Sequence, residues 1–187
     1  MKTIAMRKRI LTILFLAAIP LFFSQCKKII ESIKVNVPVS MEEDFTIPVI
    51  EDTDNALSIA FTTEADINSL ISEQNSSLGI DNIRSVKIKG VSVHLANDQQ
   101  DEVNNLSALE SMSLYLSSDN HPNEVLIAHT TSVSDPFYAE LSIEDTDLKD
   151  YFTGNTFHFR VELKGAHTTT QEIEASSKME FTVTAGL

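Results

Sequence analysis

The stretch FHFRVELK, residues 157–164, alternates apolar and polar side chains over its whole length. Successive side chains of a β-strand point to opposite faces of its sheet, so this pattern predicts a strand with one buried face. It is the most hydrophobic strand that the sequence predicts, with the apolar positions Phe157, Phe159, Val161 and Leu163.

The same period of two recurs on both sides of this strand. Gly165 turns the chain into a last long strand, and the upstream alternation predicts further strands near residues 33–39, 45–49, 57–61, 86–95, 112–116, 125–130 and 137–143. Pro38 and Pro48 interrupt the first two runs, which places these strands at a sheet edge because proline cannot donate a ladder hydrogen bond. The phase slips by one at Lys89-Gly90, which predicts a β-bulge.

One segment has a helical period instead. The residues Thr63 to Asp66 have the spacing of a capping box, and Ala65, Ile67, Leu70 and Ile71 fall on one helical face. The sequence therefore predicts one short helix at about residues 64–76. Eight or nine closely spaced strands with a single helix predict a mainly β fold, an antiparallel β-sandwich.

Composition and charge limit the function classes. The chain has 187 residues, of which 42% are hydrophobic, as expected of a globular protein. Its net charge is −13, and loss of residues 1–25 would leave 10 basic against 27 acidic side chains, a net charge of −17. Such a surface repels phosphate backbones, so we expect no nucleic-acid partner. A single cysteine excludes an intramolecular disulfide.

That cysteine, Cys26, follows a basic start and an apolar run at residues 10–23. The run is shorter than the roughly 20 residues that span a bilayer, and it is typical of a secretory signal. The sequence FFSQC, residues 22–26, resembles the lipobox of bacterial lipoproteins, with Gln25 where glycine or alanine is usual and Phe23 where leucine is usual. With Lys27 after the cysteine, residues 1–28 resemble the relaxed lipoboxes of Bacteroidota.

The resemblance implies that Cys26 becomes the first mature residue and carries acyl chains. Several chains would anchor the protein firmly in a membrane. We therefore predict a signal peptide at residues 1–25, a lipidated tether at 26–34 and a single β-sandwich domain at 35–187. By the same resemblance Lys27-Lys28 implies the outer membrane, and a lone Glu31 in place of an acidic cluster favours its periplasmic face. The alternative is the cell surface.

Acidic clusters and histidines are the candidates for a metal site. The pentapeptide IEDTD occurs at 50–54 and at 143–147, and the second copy with Asp150 supplies the weak calcium candidates Asp145, Asp147 and Asp150. Neither copy has the glycine or the distal glutamate of a calcium loop at the right place, and an aspartate cap at a strand end explains each copy well. The five histidines, His94, His121, His129, His158 and His167, have no metal-binding spacing, and we predict no metal site.

Motifs for catalysis are absent from the predicted domain at 35–187: GxSxG, SxxK, GxGxxG and the Walker motif do not occur there. We therefore expect no enzyme, no catalytic residue and no cofactor. A platform for carbohydrate or peptide is a further hypothesis, made of Tyr115, Tyr138, Tyr151, Phe45 and Phe137.

Together these features predict a membrane-anchored, non-enzymatic binding module of the cell envelope, with a protein or a polymer as partner. The residues that would bind this partner are not identified by the sequence. One alternative is a carrier of small molecules or lipids with a cavity between the sheets. A second is an envelope hydrolase in which two or more of His94, His129 and His158 share a cleft.

Overall fold

The computed structural model describes residues 34–96 and 102–187. Within these residues, Val35–Ala185 form one compact unit of strands, one α-helix and short 3₁₀ turns. The elements are β1 (Lys34–Ile47), β2 (Ala56–Glu64), α1 (Ile67–Gln74), β3 (Ile83–Leu95), β4 (Leu109–Ser118), β5 (His121–Thr130), β6 (Tyr138–Ile143), β7 (Thr156–Gly165) and β8 (Ile173–Gly186), with 3₁₀ turns at Ile80–Asn82, Leu106–Ala108 and Lys149–Phe152.

The eight strands follow the order β1-β8-β3-β6-β5-β4-β7-β2 and are antiparallel. The contact between β6 and β5 is short, with the residue pairs Ala128↔Ile143 and His129↔Ser142. This corner divides the strands into a first sheet, β1-β8-β3-β6, and a second sheet, β5-β4-β7-β2. Two four-stranded sheets in this order form a jelly roll, which confirms the predicted antiparallel sandwich.

The strand that dominates the sequence pattern, β7, lies inside the second sheet between β4 and β2. Its apolar residues Phe157, Phe159, Val161 and Leu163 are all buried. The runs near 33–39 and 45–49, predicted as two strands, form the single strand β1. This strand lies at one end of the order, as Pro38 predicts, and Pro48 follows its last residue. β2, which contains no proline, occupies the other end. The register of β3 against β8 shifts between Ile88 and Gly90, which confirms the predicted bulge.

Aromatic rings fill the space between the sheets. The Phe152 ring lies 4.7 Å from that of Phe157 on β7 and 5.2 Å from that of Phe181 on β8, so it contacts a strand of each sheet. On β1, the Phe45 ring stacks at 5.9 Å on that of Phe61, which belongs to β2. The core is therefore built from side chains of both sheets.

The helix lies within the predicted range, but the predicted start is wrong. Thr63 is still part of β2, where it pairs with Phe157, so it cannot cap the helix. Asp66 is the N-cap instead, and its carboxylate accepts hydrogen bonds from the Ser69 backbone N–H at 2.9 Å and the Ser69 hydroxyl at 2.6 Å. The helix ends at Gln74, and Ile67 and Ile71 are its buried residues.

Candidate functional site

A groove crosses the outer face of the first sheet. It consists of two depressions of about 360 Å³ and 400 Å³ that share Lys89 and Glu180. The first is lined from β3, β6 and β8, and the second extends over β8 to Pro38 and Ser40 on β1. The groove thus runs across all four strands, and its main polar and aromatic lining residues are Lys89, His94, Tyr138, Glu140, Lys178 and Glu180.

The bulge in β3 lies in the floor of this groove. Ile88 pairs with Phe181 and Gly90 with Glu180, so Lys89 is the extra residue of β3. A bulge bends its strand and increases the local twist, which opens a depression in an otherwise regular face. Gly90 adds no side chain there, although a Cβ atom would lie 3.7 Å from the Glu180 Oε2 atom and would fit.

An aromatic pair marks one end of the groove. His94 and Tyr138 are register partners on β3 and β6, and their ring centroids lie 4.9 Å apart at an interplanar angle of 55°. The Ser92 hydroxyl lies 3.2 Å from the His94 Nε2 atom and holds the imidazole in place. Because Tyr138 is 38% exposed, its ring is accessible to a ligand in the groove.

The charged residues of the groove are of two kinds. Lys178 and Glu180 pair with each other at 2.6 Å, and the hydrogen bond to Glu180 raises the pKa of Lys178. Within the described ranges 34–96 and 102–187, the side chains of Lys89 and Glu140 form neither a hydrogen bond nor an ion pair. One ammonium donor and one carboxylate acceptor in the groove are therefore available to an external ligand.

On the outer face of the second sheet, by contrast, the charged side chains pair with one another. The Arg160 guanidinium donates to Glu124 at 2.9 Å and to Glu162 at 3.1 Å and lies 4.2 Å from the Tyr115 ring centroid. The hydrogen bond to Glu124 is the main reason that the pKa of Arg160 is raised. Lys164 pairs with Glu110 at 2.6 Å. Arg160 and Lys164 on this face therefore each have a carboxylate partner.

His158 lies on the same face in a chain of hydrogen bonds. Its Nε2 atom lies 2.8 Å from the Asp119 carboxylate, and its Nδ1 atom lies 2.9 Å from the Thr62 hydroxyl. His129 also lies on this face, with its Nδ1 atom 3.0 Å from a carboxylate oxygen of Glu144.

The structure does not bring the three histidines of the hydrolase hypothesis together. His129 on β5 pairs with Ser113 of β4, and His158 on β7 pairs with Ser117 of β4. These two serines are four residues apart, so the histidines are separated by about 13 Å along the direction of β4. His94 lies on the first sheet. Among the residues that the structure describes, no three histidine, cysteine, aspartate or glutamate side chains meet as metal ligands would.

The weak calcium candidates contact other parts of the chain. Asp145 pairs with the Lys87 ammonium at 2.8 Å, and this hydrogen bond lowers the pKa of Asp145. Asp147 accepts from the backbone N–H groups of Val86 at 2.9 Å and Lys149 at 3.1 Å. Asp150 lies in the 3₁₀ turn, where its carbonyl accepts from a threonine hydroxyl. Asp147 thus satisfies backbone donors near the end of β6, although the N-cap of the following 3₁₀ turn is Leu148 and not an aspartate.

The five residues of the predicted platform do not share one surface. Phe45 and Tyr151 are buried, and Tyr115 lies beneath Arg160 on the second sheet. Tyr138 and Phe137 are exposed, and Tyr138 alone lines the groove. The sequence prediction missed Lys89 and Glu140 as site residues, and its signals for this region were the platform residue Tyr138 and the phase slip at Lys89-Gly90.

The predicted lipidation site Cys26, the signal peptide at 1–25 and most of the tether at 26–34 lie outside the described residues. Over residues 34–96 and 102–187, the structure contains no helix with the length and apolar character needed to cross a membrane.

Comparison with known proteins gives weak likenesses in fold. No protein-family model and no curated protein matches this chain. A chain of infectious bursal disease virus, Gt strain, superposes with a TM-score of 0.41 at 10% identity over 82% of this chain, which spans a third (33%) of that chain. The BFDV capsid protein gives a TM-score of 0.41 at 10% identity, covering 83% of this chain and 100% of that one.

A bacterial domain is also similar to part of the chain. The C-terminal domain of a chitobiase from Bacteroides fragilis has a TM-score of 0.34 at 10% identity, over 53% of this chain and 58% of that domain. Similarities of this size carry no argument about function, so any functional assignment rests on the groove itself.

Proposed function

We propose that this chain is a lipid-anchored, non-enzymatic binding module of the cell envelope and that it holds its partner in the groove of the first sheet. The observation that carries this proposal is the pair Lys89 and Glu140, which have no partner among the described residues, beside the exposed ring of Tyr138. Polar groups without partners in a concave site are the usual means of orienting a ligand. The partner is an envelope protein or a polymer.

The anchor rests on the sequence alone. Cys26 follows an apolar run and a lipobox-like sequence, and in this proposal it carries the acyl chains. A short tether at residues 26–34 then joins the lipid to the β-sandwich. The location that accompanies this proposal is the periplasmic face of the outer membrane, with the cell surface as the alternative.

The carrier alternative has less support. It needs a cavity between the sheets, but this space holds the rings of six phenylalanines, Phe45, Phe61, Phe152, Phe157, Phe159 and Phe181. These rings form two groups, Phe45–Phe61–Phe159 and Phe157–Phe152–Phe181, and an apolar ligand would have to displace rings from a closely packed interior.

The hydrolase alternative rests on one arrangement, the chain of hydrogen bonds from Thr62 through His158 to Asp119. A hydroxyl, an imidazole and a carboxylate in series are the elements of nucleophilic catalysis. However, the side chains of His158 and Asp119 are 40% and 66% exposed on an open sheet face. Nothing there excludes water from a reaction, so we favour a structural role for this chain of hydrogen bonds.

Photo-crosslinking in intact cells tests the proposed function. A benzophenone side chain would replace Ser92 in the groove and, as a matched control, Ser113 on the outer face of the second sheet. Both serines are partly buried strand residues, so both variants should fold equally well. We expect a defined cross-linked product from position 92 and none from position 113.

A Cys26→Ala version of each protein tests the anchor in the same experiment. We expect it to leave the membrane fraction and to lose the product at position 92. Equal products from both positions would contradict the groove as the binding site. Retention of the Cys26→Ala protein in the membrane would contradict lipidation at this residue.

A further inference from the structure

We infer that the ligand of the groove is a neutral, hydroxyl-rich oligosaccharide segment that lies across the strands of the first sheet. This inference rests on the proposed function and specifies the partner of the same site. Three features of the groove support it: its shape, its aromatic end and its balance of charges.

The shape of the groove suits an extended polymer. It passes over β1, β8, β3 and β6, and three strand spacings of about 4.8 Å make this path about 14 Å long. The groove is open along its length, because it lies on a sheet face and not in the core. A chain of several sugar rings can lie in it and continue beyond either end.

The aromatic end suits a sugar ring. Tyr138 presents an apolar ring face with a hydroxyl at its tip, and its contact with His94 fixes its position. A pyranose has the complementary character, with C–H groups on its faces and hydroxyl groups around its edge. An aromatic ring with a polar tip can therefore cover the apolar face and still bond to the edge.

The charges of the groove balance, and this favours an uncharged ligand. Two lysines, Lys89 and Lys178, oppose two glutamates, Glu140 and Glu180, and Lys178 and Glu180 already bond to each other. Lys89 can donate to sugar hydroxyls, and Glu140 can accept from them. A polyanion would be repelled by a chain with a net charge of −13.

A peptide fits this groove less well. Peptides commonly bind by adding a strand to a sheet edge or by placing apolar side chains in a hydrophobic groove. The groove crosses the interior of the sheet, where β3 already pairs with β8 on one side and β6 on the other. The first depression is lined mainly by charged and polar side chains, which offer no hydrophobic groove for apolar side chains. Strand addition could occur only at the outer edge of β1, at the opposite end of this sheet from Tyr138 and Glu140 on β6.

An array experiment tests the inference. The full chain, purified in a mild detergent, is applied to an array of neutral glucan, mannan and xylan oligosaccharides, acidic oligosaccharides and random peptides. We expect binding to neutral oligosaccharides, and about a tenfold loss of affinity in Tyr138→Ala. Tyr115→Ala, which removes an outward-facing tyrosine from the second sheet, is the matched control and should bind as the wild type does.

Gly90→Ala provides a second variant. Its methyl group fits beside Glu180 without a clash but enters the groove, so we expect a folded protein with weaker binding to the same oligosaccharides. Equal losses in Tyr138→Ala and Tyr115→Ala would overturn the inference.

Other outcomes separate this inference from the proposed function. Binding to peptides or acidic oligosaccharides alone, with dependence on Tyr138, would overturn the choice of ligand and leave the groove as the binding site. A wild-type protein that binds no neutral oligosaccharide would also overturn the inference, while a cross-linked product specific to position 92 would still support the proposed function.

Discussion

Gly165 and Gly90 both lie in strands, and they differ in the space that a methyl group would enter. A Cβ atom at Gly165 would lie 2.6 Å from the Ile50 Cγ2 atom, whereas one at Gly90 would meet its nearest neighbour at 3.7 Å. Neither glycine has a positive φ angle, so the available space alone decides the effect of a side chain. Ile50 is buried and has little room to move.

We therefore expect Gly165→Ala to lower the free energy of unfolding by about 1–3 kcal/mol, the usual cost of overpacking. Gly90→Ala should leave it unchanged or raise it by about 0.5–1 kcal/mol, because alanine loses less backbone entropy than glycine. Urea unfolding of both variants beside the wild type measures this difference. Equal destabilisation of the two variants would contradict the explanation that the room for a methyl group decides the effect.

Two residues of the groove, Lys89 and Glu140, could not be predicted from the sequence as neighbours. Lys89 and Glu140 come from β3 and β6, which are distant in the chain and become neighbours only through the strand order. A local pattern contains no information about such a pairing. It did predict the bulge at Lys89-Gly90, because a slip in the period of two depends on adjacent residues alone.

The helix α1 shows how two elements compete for the same residues. The sequence from Thr63 to Asp66 has the spacing of a capping box, but Thr63 keeps its place in β2 because β7 offers a complete ladder partner. The helix therefore begins after Asp66, whose carboxylate caps it. Long periodic strands such as β7 were predicted well, and the boundary of this short helix was not, since its start depends on a tertiary contact.

The cap makes a specific contribution to stability that depends on pH. The hydrogen bond from the Ser69 hydroxyl, followed by that from the Ser69 backbone N–H, lowers the pKa of Asp66 below its usual 3.8. A carboxyl group with a lowered pKa in the folded state stabilises the protein above its unfolded pKa. This contribution disappears as the pH falls through the folded pKa.

We expect Asp66→Ala to lower the free energy of unfolding at about pH 6, and the difference from the wild type to shrink toward about pH 2. Asp66→Asn is the matched control, since an amide oxygen still accepts the cap hydrogen bonds but carries no charge. Its free energy of unfolding should lie between those of the other two proteins at about pH 6. Urea titrations across this pH range measure both differences, and a pH-independent gap between the wild type and Asp66→Ala would contradict this role.

At the scale of the whole molecule, the corner between β6 and β5 joins the two sheets by hydrogen bonds over a short stretch. Predicting a sandwich from many short alternating strands succeeded because each strand must bury one face. The order of the strands could not be predicted, because partners such as β3 and β8 lie far apart in the chain. With so short a corner, contacts between side chains are the main connection between the sheets.

Phe152 is the side chain that best tests this connection. It is completely buried, and its ring contacts Phe157 in the second sheet and Phe181 in the first. We expect Phe152→Ala to lower the free energy of unfolding by about 3–5 kcal/mol. Because the cavity would open between the sheets, amide hydrogen exchange should lose protection to a similar extent in β3 and β4. The control Phe137→Ala, at a residue 46% exposed, should change stability by less than about 0.5 kcal/mol. Loss of protection in one sheet alone would mean that the two sheets unfold separately.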